Sequence, residues 1–415
     1  DKYTGSFQYN EPVTNSLDLI FSVVTDFEKK TDDRKTFDRN DQDTEYDVFN
    51  ESLSNFSSFN SFHVNPKVGF STDAQKFNFT IYTGTSVVRT ENHGLYLKET
   101  TDLNKNYFIP NGQIHASYKL SKSKILFLDY ERRFTIPTEN QVLAIVNLDN
   151  PLVVRTGNPN LKASTFHSLF GSFTNYNSRL ASVYYVRFNS AYYDNQIVGT
   201  SAYSSSGKRI STYDNVDGTY KMSVTGEWNK TIKKEANIFK LRLNMSGNYK
   251  LDKGFTNGEL YEAKTFGLIP SLGFSYEYGE LLSMRPSYNF VYNDTRYNNT
   301  SLSSSSNTTH NFNFEMTSFW PKNWVFGNDF GYTYNSNISG PYKKDFYLWN
   351  TSLSYKFAKE KFSLKMKVYD LLNQNLSATR TITATSVVDS ESTVLKRYVM
   401  FSLLYKFQNF ETNNY

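Results

Sequence analysis

Apolar side chains recur at every second position through most of this chain, and no uninterrupted apolar run approaches the roughly 20 residues that a membrane helix requires. The pattern is cleanest where Phe239, Leu241, Leu243 and Met245 alternate with Lys240, Arg242, Asn244 and Ser246. A strand with that spacing puts one face in an apolar medium and the other in water. The segment before it repeats the pattern, with Tyr220, Met222, Val224 and Trp228 set against Lys221, Ser223, Thr225 and Glu227. A short turn is expected within Thr231–Asn237. Similar segments run from Tyr3–Asn10 to the last one, Val399, Phe401, Leu403, Tyr405 and Phe407. Together they predict about seventeen strands of about ten residues, the length at which a tilted strand crosses a bilayer.

The connections divide into two kinds. Short ones (Ser71–Lys76, Ser121–Lys124, Asn175–Arg179, Tyr278–Leu281, Ala358–Lys361) alternate with long polar ones such as Glu28–Asn55, Thr83–Asn106, Thr135–Ser164, Gly199–Gly218 and Tyr249–Lys264. Short turns at one rim and long loops at the other are the outer-membrane arrangement. A soluble sandwich or propeller also alternates, but its strands average about five to six residues. The expected fold is therefore all-β, an antiparallel transmembrane barrel of the bacterial cell outer membrane. Pro270 and Pro286 each remove a ladder donor and are expected at bulges.

Composition supports this reading. The chain has 34 Phe and 32 Tyr, yet only 38% of its residues are hydrophobic. Aromatics thus carry much of the apolar surface, as in a barrel with aromatic girdles and a polar lumen. The balance of 45 basic against 40 acidic residues contains no basic block interleaved with aromatics, so no nucleic-acid partner is expected. The absence of cysteine excludes thiol catalysis, disulfides and zinc–thiolate sites. The five histidines, His63, His93, His115, His167 and His310, show no metal-ligand spacing. No catalytic, cofactor or metal residues are assigned, and an enzyme is not expected.

An odd strand count would place the two chain ends on opposite sides of the membrane, whereas single-chain bacterial barrels have even counts. An upstream segment is therefore expected before Asp1. Residues 1–408 are expected to form the barrel portion, with 409–415 as a short tail.

Three segments carry a resemblance: Arg132-Arg-Phe-Thr-Ile-Pro137 followed by Asp149-Asn-Pro151 and Gly157-Asn-Pro-Asn-Leu-Lys162, Val368-Tyr-Asp-Leu-Leu-Asn-Gln-Asn375, and Arg397–Phe407. They resemble the TonB-dependent receptor-like outer-membrane barrel family of Bacteroidota. The resemblance assigns structural roles to Arg132, Pro137, Gly157, Asn158, Pro159, Asp370, Asn373 and Phe407. It implies a 22-stranded barrel, of which about seventeen strands are present here, blocked by an N-terminal plug and energised by TonB. The chain shows neither plug nor TonB-box-like segment, so contact with TonB would run through the region upstream.

Candidate ligand contacts are Glu131 and Arg133 on the lumen side and the loop residues Tyr192, Tyr193 and Asn195. Asp129 is expected to face the lumen with them, and Arg132 the bilayer interface or the space above it. Lys240, Arg242, Lys365 and Lys367 are expected to point inward, because a basic residue on lipid at mid-depth costs about 2–4 kcal/mol. The function expected first is the barrel of a TonB-dependent transporter importing a nutrient. The alternatives are a scaffold or accessory subunit of an outer-membrane assembly, and a passive porin-like channel. The expected surroundings are the lipid bilayer, lipopolysaccharide and a surface lipoprotein.

Overall fold

The computed structural model describes residues 1–39, 45–145, 147–150, 153–205, 207–299, 302–338, 343–375, 378–382, 387–392 and 394–407. Seventeen consecutive neighbours form an antiparallel meander. They are β1 (Lys2–Thr14), β2 (Leu17–Arg34), β3 (Asn55–Asp73), β4 (Phe77–Tyr96), β5 (Glu99–Ser121), β6 (Lys124–Thr135), β7 (Ser164–Asn177), β8 (Ser182–Asp194) and β9 (Thr219–Lys234). The series continues with β10 (Asn237–Thr256), β11 (Glu259–Tyr278), β12 (Leu282–Tyr297), β13 (Ser305–Ser318), β14 (Trp324–Asn335), β15 (Asp345–Phe357), β16 (Phe362–Tyr369) and β17 (Tyr398–Tyr405). Among the described residues the only α-helix is the single turn Glu139–Val142, and no helix is long and apolar enough to cross a membrane.

Register makes one face continuous. Phe70 lies opposite Ile81, Ile81 opposite Ile114, Ile114 opposite Tyr130, and Tyr130 opposite Leu169. Farther round, Gly226 faces Met245 and Met245 faces Pro270; near the end Leu353 faces Met366 and Met366 faces Phe401. This apolar band is the lipid face. Residues of the opposite parity are polar: Lys240 lies between Thr231 and Ser275, Arg242 between Asn229 and Gly273, and Lys365 between Ser354 and Ser402. Lys367 shares that side, opposite Ser352.

Two expectations need correction. The long polar segments are not all loops. β4 and β5 continue to Tyr96 and Glu99 and are joined by Leu97-Lys98, both at positive φ, while β10 and β11 meet at Asn257-Gly258. Strands here reach 20 to 23 residues. Apolar alternation stops where the bilayer stops, but the ladder needs only backbone partners and continues through Thr- and Asn-rich sequence. The tight turn expected within Thr231–Asn237 narrows to Glu235-Ala236 for the same reason.

Pro270 and Pro286 form no bulge. Leu268 pairs with Tyr292 and Ser271 with Asn289, so the register is unbroken across Pro270, with pairing interrupted only locally between β11 and β12. Pro66 does the same between β3 and β4. Each ring forfeits a donor on one side only, so its strand stays in register with the neighbour on the other.

The sheet has two edges. Among the described residues β1 pairs with β2 alone and β17 with β16 alone. β1 runs from its Glu28 partner down to the tight turn before Leu17, and β17 runs from its Tyr369 partner down to Phe362. Both edge strands therefore point the same way.

Candidate functional site in the upper lumen

Among the described residues a cluster of buried side chains lies on the lumen face near the long-connection, or upper, rim. Along β4 the lumen-side residues Ser86, Val88, Thr90 and Asn92 are buried, whereas Val87, Arg89 and Glu91 between them are exposed. Something covers the inner face, and it is the segment between β6 and β7. Val142, Leu143 and Leu161 of that segment are each 2% exposed, as buried as any apolar side chain here.

The cover begins where β6 leaves the wall. β5–β6 pairing ends at Gly112–Arg132. Beyond it the Phe134 ring lies 5.8 Å from His63 on β3, three strands away. That contact requires the upper end of β6 to cross onto the inner face of β3–β5. Arg132 is thereby turned toward this inner wall, with Nε buried, and beside Gly112, Asn111 and Lys67 it lines a polar cavity of about 160 Å³. Arg132 thus lies neither at the bilayer interface nor in the space above it, because β6 leaves the cylinder and its strand parity no longer decides which way it faces.

The segment after β6 forms a shelf. Pro137 is buried at its start. The Gly157 amide donates to the Leu143 carbonyl at 3.0 Å, and a Cβ at Gly157 would stand 2.2 Å from that same oxygen. Only glycine fits. Asn158 donates its backbone amide to the Gln141 carbonyl at 2.6 Å and its side-chain amide to the Tyr213 carbonyl at 2.9 Å, and it accepts from the Asn160 amide. Pro159, on the exposed outside of this turn, makes no such contact. Lys105 on β5 donates to the Leu161 carbonyl at 2.7 Å, and its burial pushes the ammonium below its ordinary pKa. On the far side the short strand Val153–Arg155 runs parallel to Arg209–Val216, the second strand of a hairpin with Gln196–Tyr203. Asn215 completes the link: its Oδ1 accepts from the Lys162 amide, and its Nδ2 donates to the Lys162 and Asn195 carbonyls. The shelf thus spans from β4–β5 to the hairpin above β8 and β9.

Below the shelf the wall is polar. Glu131 pairs with Arg133 at 2.5 Å and Asp129 with His115 at 3.2 Å, all on the lumen side. Tyr193 shares this face, with the Lys221 ammonium 5.6 Å from its ring. Lower down, Lys240 pairs with Glu277 at 2.8 Å, and Arg242 donates to Asn229 at 3.1 Å. Tyr192 and Tyr193 are strand residues rather than loop residues. Tyr192 has lipid-face parity and lies near His167, whose Nδ1 is 2.7 Å from the Tyr130 hydroxyl, so it is not brought together with the lumen group. Asn195 is a bend residue at φ 51° whose amide meets Asp217.

The remaining motif residues tie the rim at β16. Asp370 is 1% exposed, and its carboxylate accepts from the Gln374 and Asn375 amides at 2.8 and 3.0 Å. Asn373, at positive φ, accepts from the Arg397 amide. Phe407 projects at 88% exposure, its ring 4.4 Å from that of Tyr405. Residues 408–415, which include the expected tail, lie outside the described residues. Among the described residues no group of three or more His, Asp or Glu could hold a metal ion. Shelf and hairpin eluded the sequence reading. Gly157-Asn158 was visible as a turn, but nothing in its local pattern says that the turn docks inward.

The outer membrane protein beta-barrel family model matches residues 1–269 and 262–405. No curated protein sequence matches. Similar solved structures include the copper transporter OprC, with 11% identity, a TM-score of 0.46, and 98% of this chain and 67% of that one covered. The outer membrane transporter YddB from Escherichia coli gives 10% identity and a TM-score of 0.28 over 98% and 75% of the two chains. OccK2 from Pseudomonas aeruginosa, in complex with glucuronate, gives 11% and 0.22 over 94% and 98%.

Proposed function

The chain belongs to the outer membrane protein beta-barrel family and resides in the bacterial outer membrane, and from that premise we propose that it forms the barrel wall of a TonB-dependent receptor taking up a polar nutrient. The observation that carries this reading is the pair of like-directed open edges. An unpaired strand edge in hydrocarbon leaves each amide and carbonyl without a partner, at several kcal/mol apiece. β1 and β17 point the same way, so antiparallel closure needs an odd number of further strands between them. Five such strands make 22, the size of plugged transporters. The motif segments and the polar lumen favour the same reading, and a source in the Bacteroidota agrees with them. Energy would reach the barrel through TonB acting on a plug. The ligand would meet the Glu131–Arg133 region and Tyr193 beneath the shelf.

Uptake by cells carrying the native protein is the test. Accumulation of the nutrient should stop when the proton-motive force is collapsed. Uptake that survives uncoupling, together with steady conductance in a planar bilayer, would replace this reading with a passive channel. Stable association with a surface lipoprotein and no uptake at all would replace it with a scaffold.

A further inference from the structure

The lipid face carries two adjoining apolar grooves. The larger, about 530 Å³, is lined by Tyr184, Trp228, Leu243, Met245 and Pro270 around Gly226. Its neighbour, about 430 Å³, is lined by Phe77, Leu126, Leu128 and Phe188 around Gly171. Val186 borders both. The glycines create this relief: a Cβ at Gly226 would meet nothing within 4 Å, and one at Gly171 nothing closer than 3.9 Å. A glycine inside a strand weakens it and marks a place where something else approaches closely. Both grooves lie toward the tight-turn ends of their strands, hence in the periplasmic leaflet.

Directly beneath them the rim is basic. On the lipid-face parity, Lys124 is the next residue below Leu126, and Lys230 the next below Trp228. The three turns concerned are contiguous, because the Tyr176 amide donates to the Ser123 carbonyl and the Thr231 amide to the Ala181 carbonyl. These turns add Lys122, Arg179 and Lys234 against the single acid Glu235. The flanking turn at Tyr278–Leu282 carries Glu280 and no base.

We propose that this surface is a specific site for one anionic diacyl glycerophospholipid of the periplasmic leaflet. One hydrocarbon chain lies on each side of Val186, and the headgroup phosphate meets Lys124 and Lys230, whose ammonium also donates to the Leu180 carbonyl between them. Apolar relief alone would hold any lipid. The lysines at the foot of both grooves select a phosphate-bearing headgroup that carries net negative charge.

The test uses the native protein extracted from its own membrane, washed by detergent exchange and weighed intact by native mass spectrometry. The wild type should retain one anionic phospholipid per molecule. Lys124→Gln with Lys230→Gln should lower retention about thirtyfold. Gly226→Leu, whose side chain enters open space, should displace the lipid while leaving the heat-induced unfolding transition in place. Lys359→Gln with Lys361→Gln, on a distant turn, should leave retention unchanged. Three outcomes would overturn the assignment: equal retention by all variants, retention of zwitterionic lipid in proportion to its abundance, or retention of lipopolysaccharide alone.

Discussion

At the residue scale, parity decides environment. Arg242 and Leu243 are adjacent, yet one lies against Asn229 and the other against Trp228. Moving an arginine to lipid at mid-depth would cost about 2–4 kcal/mol, more than a surface ion pair returns. The chain has no cysteine, so single substitutions report cleanly. A polarity-sensitive fluorophore attached through Leu243→Cys should be quenched by a lipid-soluble nitroxide, and one attached through Arg242→Cys should not. Equal quenching at both would mean that the register is wrong. Where parity fails, the cause is local: Arg132 is turned inward by a strand that has left the cylinder, which its own alternation cannot reveal.

At the element scale, the shelf gives the upper lumen a soluble-type core, and few residues hold it. Gly157→Val would drive a side chain into the Leu143 carbonyl, an overpacking worth about 1–3 kcal/mol. Asn215→Ala removes three hydrogen bonds, each worth about 0.5–1.5 kcal/mol. Either change should free the shelf without unfolding the wall. Protease added outside intact cells should then cut near Ile145, a site protected in the wild type, with β-sheet circular dichroism unchanged. Unaltered protection would show that the segment is held by something other than these contacts. The strands themselves were legible in sequence because lipid enforces a strict period of two, as at Phe239–Ser246. Their extensions were not, since Val88 to Tyr96 obeys no single medium on either face. Nor was the inward turn of β6 legible: it depends on His63 and Gly112, which lie 69 and 20 residues before Arg132. The lipid grooves were hidden because Gly226 and Gly171 look like gaps in a pattern until their neighbours are placed around them.

At the scale of the whole molecule, closure decides what the barrel can be. A meander with two like-directed edges cannot seal itself antiparallel, and leaving it open in a bilayer is prohibitive. In the native membrane the edge amides of β1 and β17 should therefore exchange hydrogen as slowly as those of the interior pair β10 and β11. Fast exchange along either edge would show that no further strands close the barrel there and would remove the main support for a 22-stranded receptor.

β4 and β5 rise together past Val87 to a two-residue tip, about 30 Å of paired ribbon measured along the strand. Because β3 pairs with β4 up to Leu95 and β2 with β3 up to Arg34, this ribbon is the edge of a four-stranded wall rather than a trailing tether. A protein arriving from outside would meet the top of this wall, where Lys98 pairs with Glu51, before it met the barrel mouth. Substitutions along that top would change what the cell surface displays to its surroundings while leaving the passage below untouched.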